Sequence, residues 1–296
     1  MKDGRIEVAP GVSLAARRRD ARDRVADGSA APFVLVHGLA SNARTWDGVA
    51  SRLADLGHPS VAVDLRGHGL SDRPAAGYDF ATVAGDVAAV IRALGLDRPI
   101  VAGQSWGADV ALEVAARHGE DVRGVACVDG GFLDLSREFP VWEEGAVALA
   151  PPVLEGMPAT ELEARIRSGH PDWSDAGVAA TMANFEIRGD GTVAPRLARE
   201  HHMTILRALW ERRTTEVLAS ADVPVLLLPA DTGDADWTAA KRAAAGRVVS
   251  RLADGGPDGG RVRVRWFAPA DHDIHVQHPG ELAGVLHAAV TDGFFA

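Results

Sequence analysis

The residues Gly103-Gln104-Ser105-Trp106-Gly107 have the types and spacing that covalent chemistry needs. A serine hydroxyl becomes an acyl-transfer nucleophile when a neighbouring base takes its proton. The pentapeptide lies between an apolar run, Pro99 to Ala102, and an Ala-rich stretch, Ala108 to His118. A G-x-S-x-G sequence between strand and helix predicts the sharp turn called a nucleophile elbow. Such a turn strains its central residue and lifts that side chain clear of the sheet. Glycines are expected on either side, where a Cβ would strike the neighbouring strand or helix. Ser105 is therefore the candidate nucleophile.

A base is expected late in the chain, on the loop after the last strand. Ala270-Asp271-His272-Asp273-Ile274-His275 is that loop, and Pro279 then opens the final helix at a first-turn position that tolerates proline. His272 is the candidate base, taking the serine proton and returning it to the leaving group. His275 and His278 are the alternatives. The three histidines also suggest a metal set, but the segment turns from loop into helix and has no partner carboxylate cluster, so no metal is expected. Nothing in the constellation calls for a cofactor.

The base needs a carboxylate to fix its tautomer and stabilise the imidazolium. Asp129 ends the run Val122–Val128 and precedes Gly130-Gly131, while Asp231, Asp234 and Asp236 crowd the loop after Val225–Leu228. All keep the chain order serine, acid, histidine. Asp129 leads, because an acid at a strand's carboxyl end faces the crevice where ligands bind. Asp234 is the alternative acid, Asp236 reads as the N-cap of a helix from Trp237, and Asp231 reads as loop charge. For the oxyanion, the donors expected are the backbone N–H groups of Trp106 and of Leu39, the latter in His37-Gly38-Leu39-Ala40. Each is worth roughly 3 kcal/mol of barrier in a dry site. The His37 ring reads first as a brace for this loop and second as a substrate contact.

The elements that must position these groups follow from the apolar pattern. Gly4–Val8 and Val12–Arg18 read as an edge hairpin, followed by a polar linker, Asp20–Ala30. Phe33–His37, Ser60–Leu65, Pro99–Gly103 and Val122–Val128 read as strands, alternating with helices at Thr45–Leu56, Thr82–Leu94 and Trp106–His118. That alternation predicts an α/β fold with a mostly parallel, doubly wound sheet of about eight strands. It stops over residues 132–220, which read as helical and carry Pro151, Pro152, Pro158, Pro171 and Pro195. It resumes with a strand at Val225–Leu228, a helix at Trp237–Leu252, a strand at Arg261–Phe267 and a helix at Glu281–Val290. Asp254–Gly260 is a Gly/Asp-rich loop. The expected organisation is a core domain, 1–131 with 221–296, interrupted by a helical block, 132–220. Trp142, His202 and Trp210 in that block are candidate substrate contacts, with Trp173, Phe139, Phe185, Met182 and Met203 nearby.

These residues resemble the α/β-hydrolase family over 33–130 and 222–292. The resemblance rests on His37-Gly38, on Asp64-Leu65-Arg66-Gly67-His68-Gly69-Leu70-Ser71-Asp72, on Gly103 to Gly107, and on His272 with Pro279 seven residues later. It implies His272 as base, since the family's histidine usually precedes that proline by seven. Many members carry the acid in a Gly-x-x-Asp turn after the seventh strand. Here Pro229-Ala230-Asp231-Thr232 leaves no acid in that register. In haloalkane dehalogenases and some esterases the acid follows the sixth strand, and Asp129 matches that placement. The helical block is similar to the family's cap domain.

The resemblance also narrows the reaction. Haloalkane dehalogenases and epoxide hydrolases use an aspartate nucleophile, and epoxide hydrolases need cap tyrosines, whereas the only tyrosine is Tyr78. Hydroxynitrile lyases need a lysine near the base, and neither Lys2 nor Lys241 is expected there. A serine hydrolase acting on an ester or lactone of a small to medium, largely apolar substrate is the leading expectation. Amide hydrolysis (Trp106 also follows the nucleophile in proline iminopeptidases), carbon–carbon bond hydrolysis and a non-catalytic binding role are the alternatives.

Composition sets outer bounds. The 296 residues are 47% hydrophobic with a net charge of −10 and no basic run. That argues against nucleic acid or an anionic membrane as partner and leaves a small molecule. The single cysteine, Cys127, reads as a core residue. No apolar leader or spanning segment is read, so a cytoplasmic protein is expected.

Overall fold

Short aliphatic runs become the strands of one sheet in the computed structural model, which describes residues 2–22, 30–252 and 260–296. The expected linker and the Gly/Asp-rich loop lie largely outside those residues. The strands are β1 (Lys2–Ala9), β2 (Val12–Arg19), β3 (Phe33–Val36), β4 (Ser60–Val63), β5 (Ile100–Gln104), β6 (Gly124–Val128), β7 (Phe185–Ile187), β8 (Val193–Pro195), β9 (Val225–Leu228) and β10 (Val262–Val264). Eight form one sheet in the order β1-β2-β4-β3-β5-β6-β9-β10. β2 runs antiparallel to β1 and β4, and every other pairing is parallel. Every residue of β3, β4, β5, β6 and β9 is buried, as parallel strands covered on both faces require.

Alternation along the strands divides the core in two. Val34, Val36, Val101, Val125 and Leu227 pack under the helices Phe80–Ala93 and Trp106–Arg117. Phe33, Leu35, Ile100, Ala102, Leu226 and Leu228 pack under Asp47–Asp55 and Pro279–Thr291. Cys127 is fully buried in the first layer.

Register brings the strand ends to one level. Val36 pairs with Gly103, Gln104 with Val128, and Val128 with Leu228. The residues that follow, Leu39, Ser105, Asp129 and Ala230, therefore gather along one carboxyl edge, where ligands of open α/β sheets bind.

The segment between β6 and β9 is mainly helical, with Trp142–Ala148, Ala159–Gly169, Asp175–Met182, Arg199–Glu211 and Thr214–Ser220 as its longer elements. It also holds the antiparallel pair β7–β8, which the periodicity does not reveal. Each strand has three residues, too few to show alternation, and the visible signal is the turn Gly189-Asp190-Gly191 with Gly191 at φ 82°. The helix expected from Trp237 begins at Ala235, and its cap is Asp234, whose Oδ1 accepts the Trp237 N–H at 2.9 Å. The Asp236 cap reading is thus corrected by two residues.

Candidate active site

Ser105 follows β5 directly, at φ 52°, ψ −123°, immediately before the helix Trp106–Arg117. Its N–H donates to Val128 O at 2.9 Å, which ties the turn to β6. The elbow leaves no room for side chains beside it. A Cβ on Gly103 would sit 2.0 Å from Gly107 O, and one on Gly107 would sit 2.4 Å from His37 O.

Asp129 follows β6 directly, also with positive φ (43°), and its N–H donates to Leu228 O at 3.0 Å. Its side chain is fully buried. His272 Nδ1 donates to Asp129 Oδ2 at 2.7 Å. The Ala230 N–H donates to Oδ1 at 2.9 Å. Burial opposes charge on this carboxylate, but the His272 hydrogen bond, the His272 and Lys241 charges and the Ala230 amide outweigh it, so its pKa lies below the ordinary value. Asp234 is occupied as a helix cap, and Asp231 Oδ1 accepts from Gly233 N–H and from the Thr238 hydroxyl. Neither of these touches His272.

His272 is held from two sides. Its carbonyl accepts from Gln104 Nε2 at 3.1 Å, so the residue before the nucleophile tethers the loop of the base. Asp271, one residue earlier, accepts from Trp173 Nε1 at 2.9 Å and contacts His170 Nδ1 at 3.0 Å. The helical segment is thereby latched to the same loop. With Nδ1 committed to Asp129, Nε2 is the nitrogen left for proton transfer. The ring is 52% exposed and lines a cavity with Ser105. Partial desolvation lowers the His272 pKa and Lys241 lowers it further, but the Asp129 hydrogen bond and charge, with Asp273 behind, raise it above the ordinary imidazole value.

The other late histidines do not reach this cavity. His275 is fully buried against Trp46, with ring centroids 4.7 Å apart and both nitrogens unpartnered. Burial pushes its pKa down to about 3. His278 heads the last helix. Among the described residues no three metal-ligating side chains converge.

Leu39 and Trp106 both line the cavity, and neither backbone N–H donates to an acceptor among the described residues. The next amide, Ala40, is already spent on His68 Nε2 at 3.2 Å. His37 braces the loop: Nδ1 donates to Gly38 O at 2.7 Å and Nε2 accepts from Leu65 N–H at 3.0 Å. Fully buried and with both nitrogens engaged, it is not a substrate contact, which corrects that reading. The Asp64-to-Asp72 motif is scaffolding too. Asp64 accepts the Ala43 and Leu70 N–H groups, and Arg66 forks onto Asp86 at 2.6 and 2.7 Å.

The cavity encloses about 290 Å³. Leu133, Leu135, Leu149, Leu206 and Leu209 from the helical segment form its apolar wall. A second chamber of about 470 Å³, lined mostly by Leu149–Leu154, Phe185, Leu197 and Ala198, shares Leu149 and His202 with the first. His202 therefore borders both, and burial pushes its pKa down to about 4. Its neighbour His201 stacks on Tyr78 at 4.2 Å. Trp142 and Trp210 line neither chamber. Their rings meet edge to face at 5.7 Å, Arg207 covers both, and Trp210 Nε1 donates to Phe139 O. These two tryptophans belong to the segment's own core, which corrects their reading as substrate contacts.

Sequence reasoning missed Lys241. From the helix Ala235–Leu252 its Nζ reaches both Asp129 oxygens at 2.8 Å and Ala230 O at 3.0 Å. The expectation that neither lysine lies near the base is overturned. The ammonium's three N–H groups meet three acceptors, so it has no free donor for a leaving group. The only available signal is a lone lysine in an Ala-rich helix of a chain otherwise using arginine.

A family model described as the alpha/beta hydrolase fold matches residues 31–169. The chain is 43% identical over 96 residues to the AB hydrolase superfamily protein YisY of Bacillus subtilis, an alignment covering 32% of this chain and 36% of that one. It is 38% identical over 102 residues to 2-(acetamidomethylene)succinate hydrolase of Mesorhizobium japonicum, covering 34% and 36%. The chain thus spans just over a third of the length of these relatives. Among solved structures, the crystal structure of E-2-(acetamidomethylene)succinate hydrolase superposes with a TM-score of 0.74 over 100% of this chain and 99% of that one, at 24% identity. The thioesterase domain from the curacin biosynthetic pathway superposes with a TM-score of 0.72 over 97% and 99%, at 17% identity. Among the described residues no helix is long and apolar enough to cross a membrane.

Proposed function

Since the chain belongs to the α/β-hydrolase fold family, we propose that it is a serine hydrolase cleaving a carboxylic ester or lactone through an acyl-enzyme on Ser105. The observation that carries this reading is one cavity lined by both Ser105 and His272, with His272 Nδ1 bonded to a buried Asp129. In the proposed reaction, Ser105 Oγ attacks the acyl carbon while His272 Nε2 takes its proton. Asp129 holds the tautomer that leaves Nε2 free and stabilises the imidazolium. The oxyanion forms against the Leu39 and Trp106 amides. His272 then protonates the leaving group, and a water molecule attacks the acyl-enzyme along the same route.

The wall chemistry supports an uncharged substrate. Asp109 is answered by Arg212 at 3.3 Å and by the Thr214 hydroxyl at 2.8 Å, and Lys241 is answered by Asp129. A dicarboxylate such as the succinate in the relative's name would need an unpaired cation, and among the described residues the first cavity offers none, while the second carries Arg199, whose guanidinium donates to Pro151 O. The helical segment 132–220 acts as the cap that selects substrate, and its second chamber receives an apolar tail.

Turnover of p-nitrophenyl acetate and butyrate, together with labelling of Ser105 by a fluorophosphonate, tests the proposal. Ser105→Ala should lose both, and His272→Ala should lose turnover. A wild-type protein that neither labels nor turns over esters, lactones, amides or diketones overturns it in favour of a binding role.

A further inference from the structure

We infer that Lys241 is a positioning residue of the acid–base pair: its ammonium locks the Asp129 carboxylate in the orientation that serves His272 and opposes the charge that develops on the imidazole. This rests on the reading of Ser105, His272 and Asp129 as a triad.

The geometry separates this role from simple helix anchoring. Asp129 Oδ2 receives His272 Nδ1 at 2.7 Å and Lys241 Nζ at 2.8 Å, while Oδ1 receives the same Nζ at 2.8 Å and the Ala230 N–H at 2.9 Å. The carboxylate is gripped across both oxygens, so rotating it toward any other partner breaks two charge-assisted bonds. Lys241 and the Asp129 side chain are 2% and 0% exposed. Burying an ion pair carries a large desolvation cost that an apolar anchor would avoid. Lys241 also lines the cavity that holds Ser105, whereas a mere anchor has no need to reach it.

The charge consequence is specific. A lone aspartate beside the imidazole favours the imidazolium without opposition. With Lys241 attached, the acid is already balanced before the proton arrives, and the site becomes cationic after it. The charged groups that act on His272 are Asp129 from the end of β6, Lys241 from its helix and Asp273 from its own loop, with His275 packed behind that loop and His202 and Asp109 elsewhere on the cavity wall. Of these, Lys241 is the cation that shares the carboxylate with His272. Without it, Asp129 is the stronger acceptor and His272 holds its proton to higher pH.

The test reads the His272 titration by NMR, without substrate, in wild type and in Lys241→Met, Lys241→Gln and Lys241→Arg. The uncharged variants should raise the His272 pKa by about 0.5 to 1 unit, and the arginine variant should leave it nearer to wild type. In parallel, kcat should fall about tenfold or more in the uncharged variants, because the lost orientation of Asp129 outweighs the easier protonation of His272, with KM changed by less than about threefold. If the methionine variant does not fold, the glutamine and arginine variants give the same comparison, since both keep N–H donors. A His272 titration that stays in place in folded, uncharged variants overturns the inference, even where their thermal stability drops. Lack of turnover in wild type overturns the hydrolase reading, while the titration still decides the role of Lys241.

Discussion

Ser105 and Asp129 stand side by side at the carboxyl ends of neighbouring strands, both in the left-handed backbone region, at φ 52° and 43°. Such angles cost non-glycine residues about 1–3 kcal/mol each and persist where the surroundings over-determine them. Gly130 is part of what determines them, because a Cβ there would lie 2.3 Å from Ser105 O. Gly130→Ala should therefore push the elbow out of line and lower kcat by about 10²-fold. Gly119→Ala, which meets nothing within 4 Å, should leave kcat unchanged. Equal activity in the two variants would show that the elbow tolerates movement.

Asp129→Asn keeps the shape but reverses the hydrogen bond to His272 Nδ1, and it should lower kcat by about 10⁴-fold. Asp234→Asn should leave kcat within about twofold and change thermal stability slightly, because asparagine caps helices nearly as well. Steady-state kinetics on both variants decides between the two aspartates, and a large loss in the Asp234 variant alone would reassign the acid.

Only the neutral imidazole of His272 accepts a proton. Its pKa lies above the ordinary 6.5, so the acidic limb of kcat/KM should fall above pH 6.5, with activity rising through it and levelling off beyond. The stability contributions run in two directions. The raised pKa of His272 contributes stability that is present below pH 6.5 and fades as pH rises through the folded-state value. His275 and His58 have folded values of about 3 and about 4, so they cost stability as pH falls from 6.5 toward those values. A pH–rate profile and melting curves between pH 4 and 8 separate these effects. An acidic limb below pH 6.5 would contradict the charge balance described at His272.

The fold is legible in the sequence because β-strand runs such as Phe33–Val36 and Val225–Leu228 are continuously apolar and bounded by glycine or proline. The elbow is legible for a related reason: two glycines at fixed spacing are forced by backbone contacts a few ångströms away. Choosing among Asp129, Asp231, Asp234 and Asp236 is harder, since it depends on which loop packs beside residue 272, a long-range fact that no local pattern encodes. Lys241 escapes notice because lysine is almost never buried unless paired, and its partner Asp129 lies far away in sequence, just after β6. The role of Trp142 and Trp210 is hidden in the same way, because an aromatic residue that seals a core and one that lines a cleft look alike until their neighbours are known.

Leu149 and His202 line both chambers, so a tail that passes between them from Ser105 would enter a largely apolar space of about 470 Å³. Each methylene buried there contributes about 0.8 kcal/mol, so wild type should prefer p-nitrophenyl octanoate over acetate in kcat/KM. Ala150 lines the second chamber and not the first. Ala150→Trp fills the chamber and should lower kcat/KM for the octanoate by about tenfold or more, a loss of about 1.4 kcal/mol, while leaving the acetate within about threefold. The acetate ester serves as the internal control, because its two-carbon acyl group makes the least demand on the second chamber and its turnover reports mainly the state of Ser105 and His272. A uniform loss across chain lengths would mean that the substitution disturbs the helical segment as a whole. An unchanged octanoate rate would mean that the tail leaves the first cavity by another route.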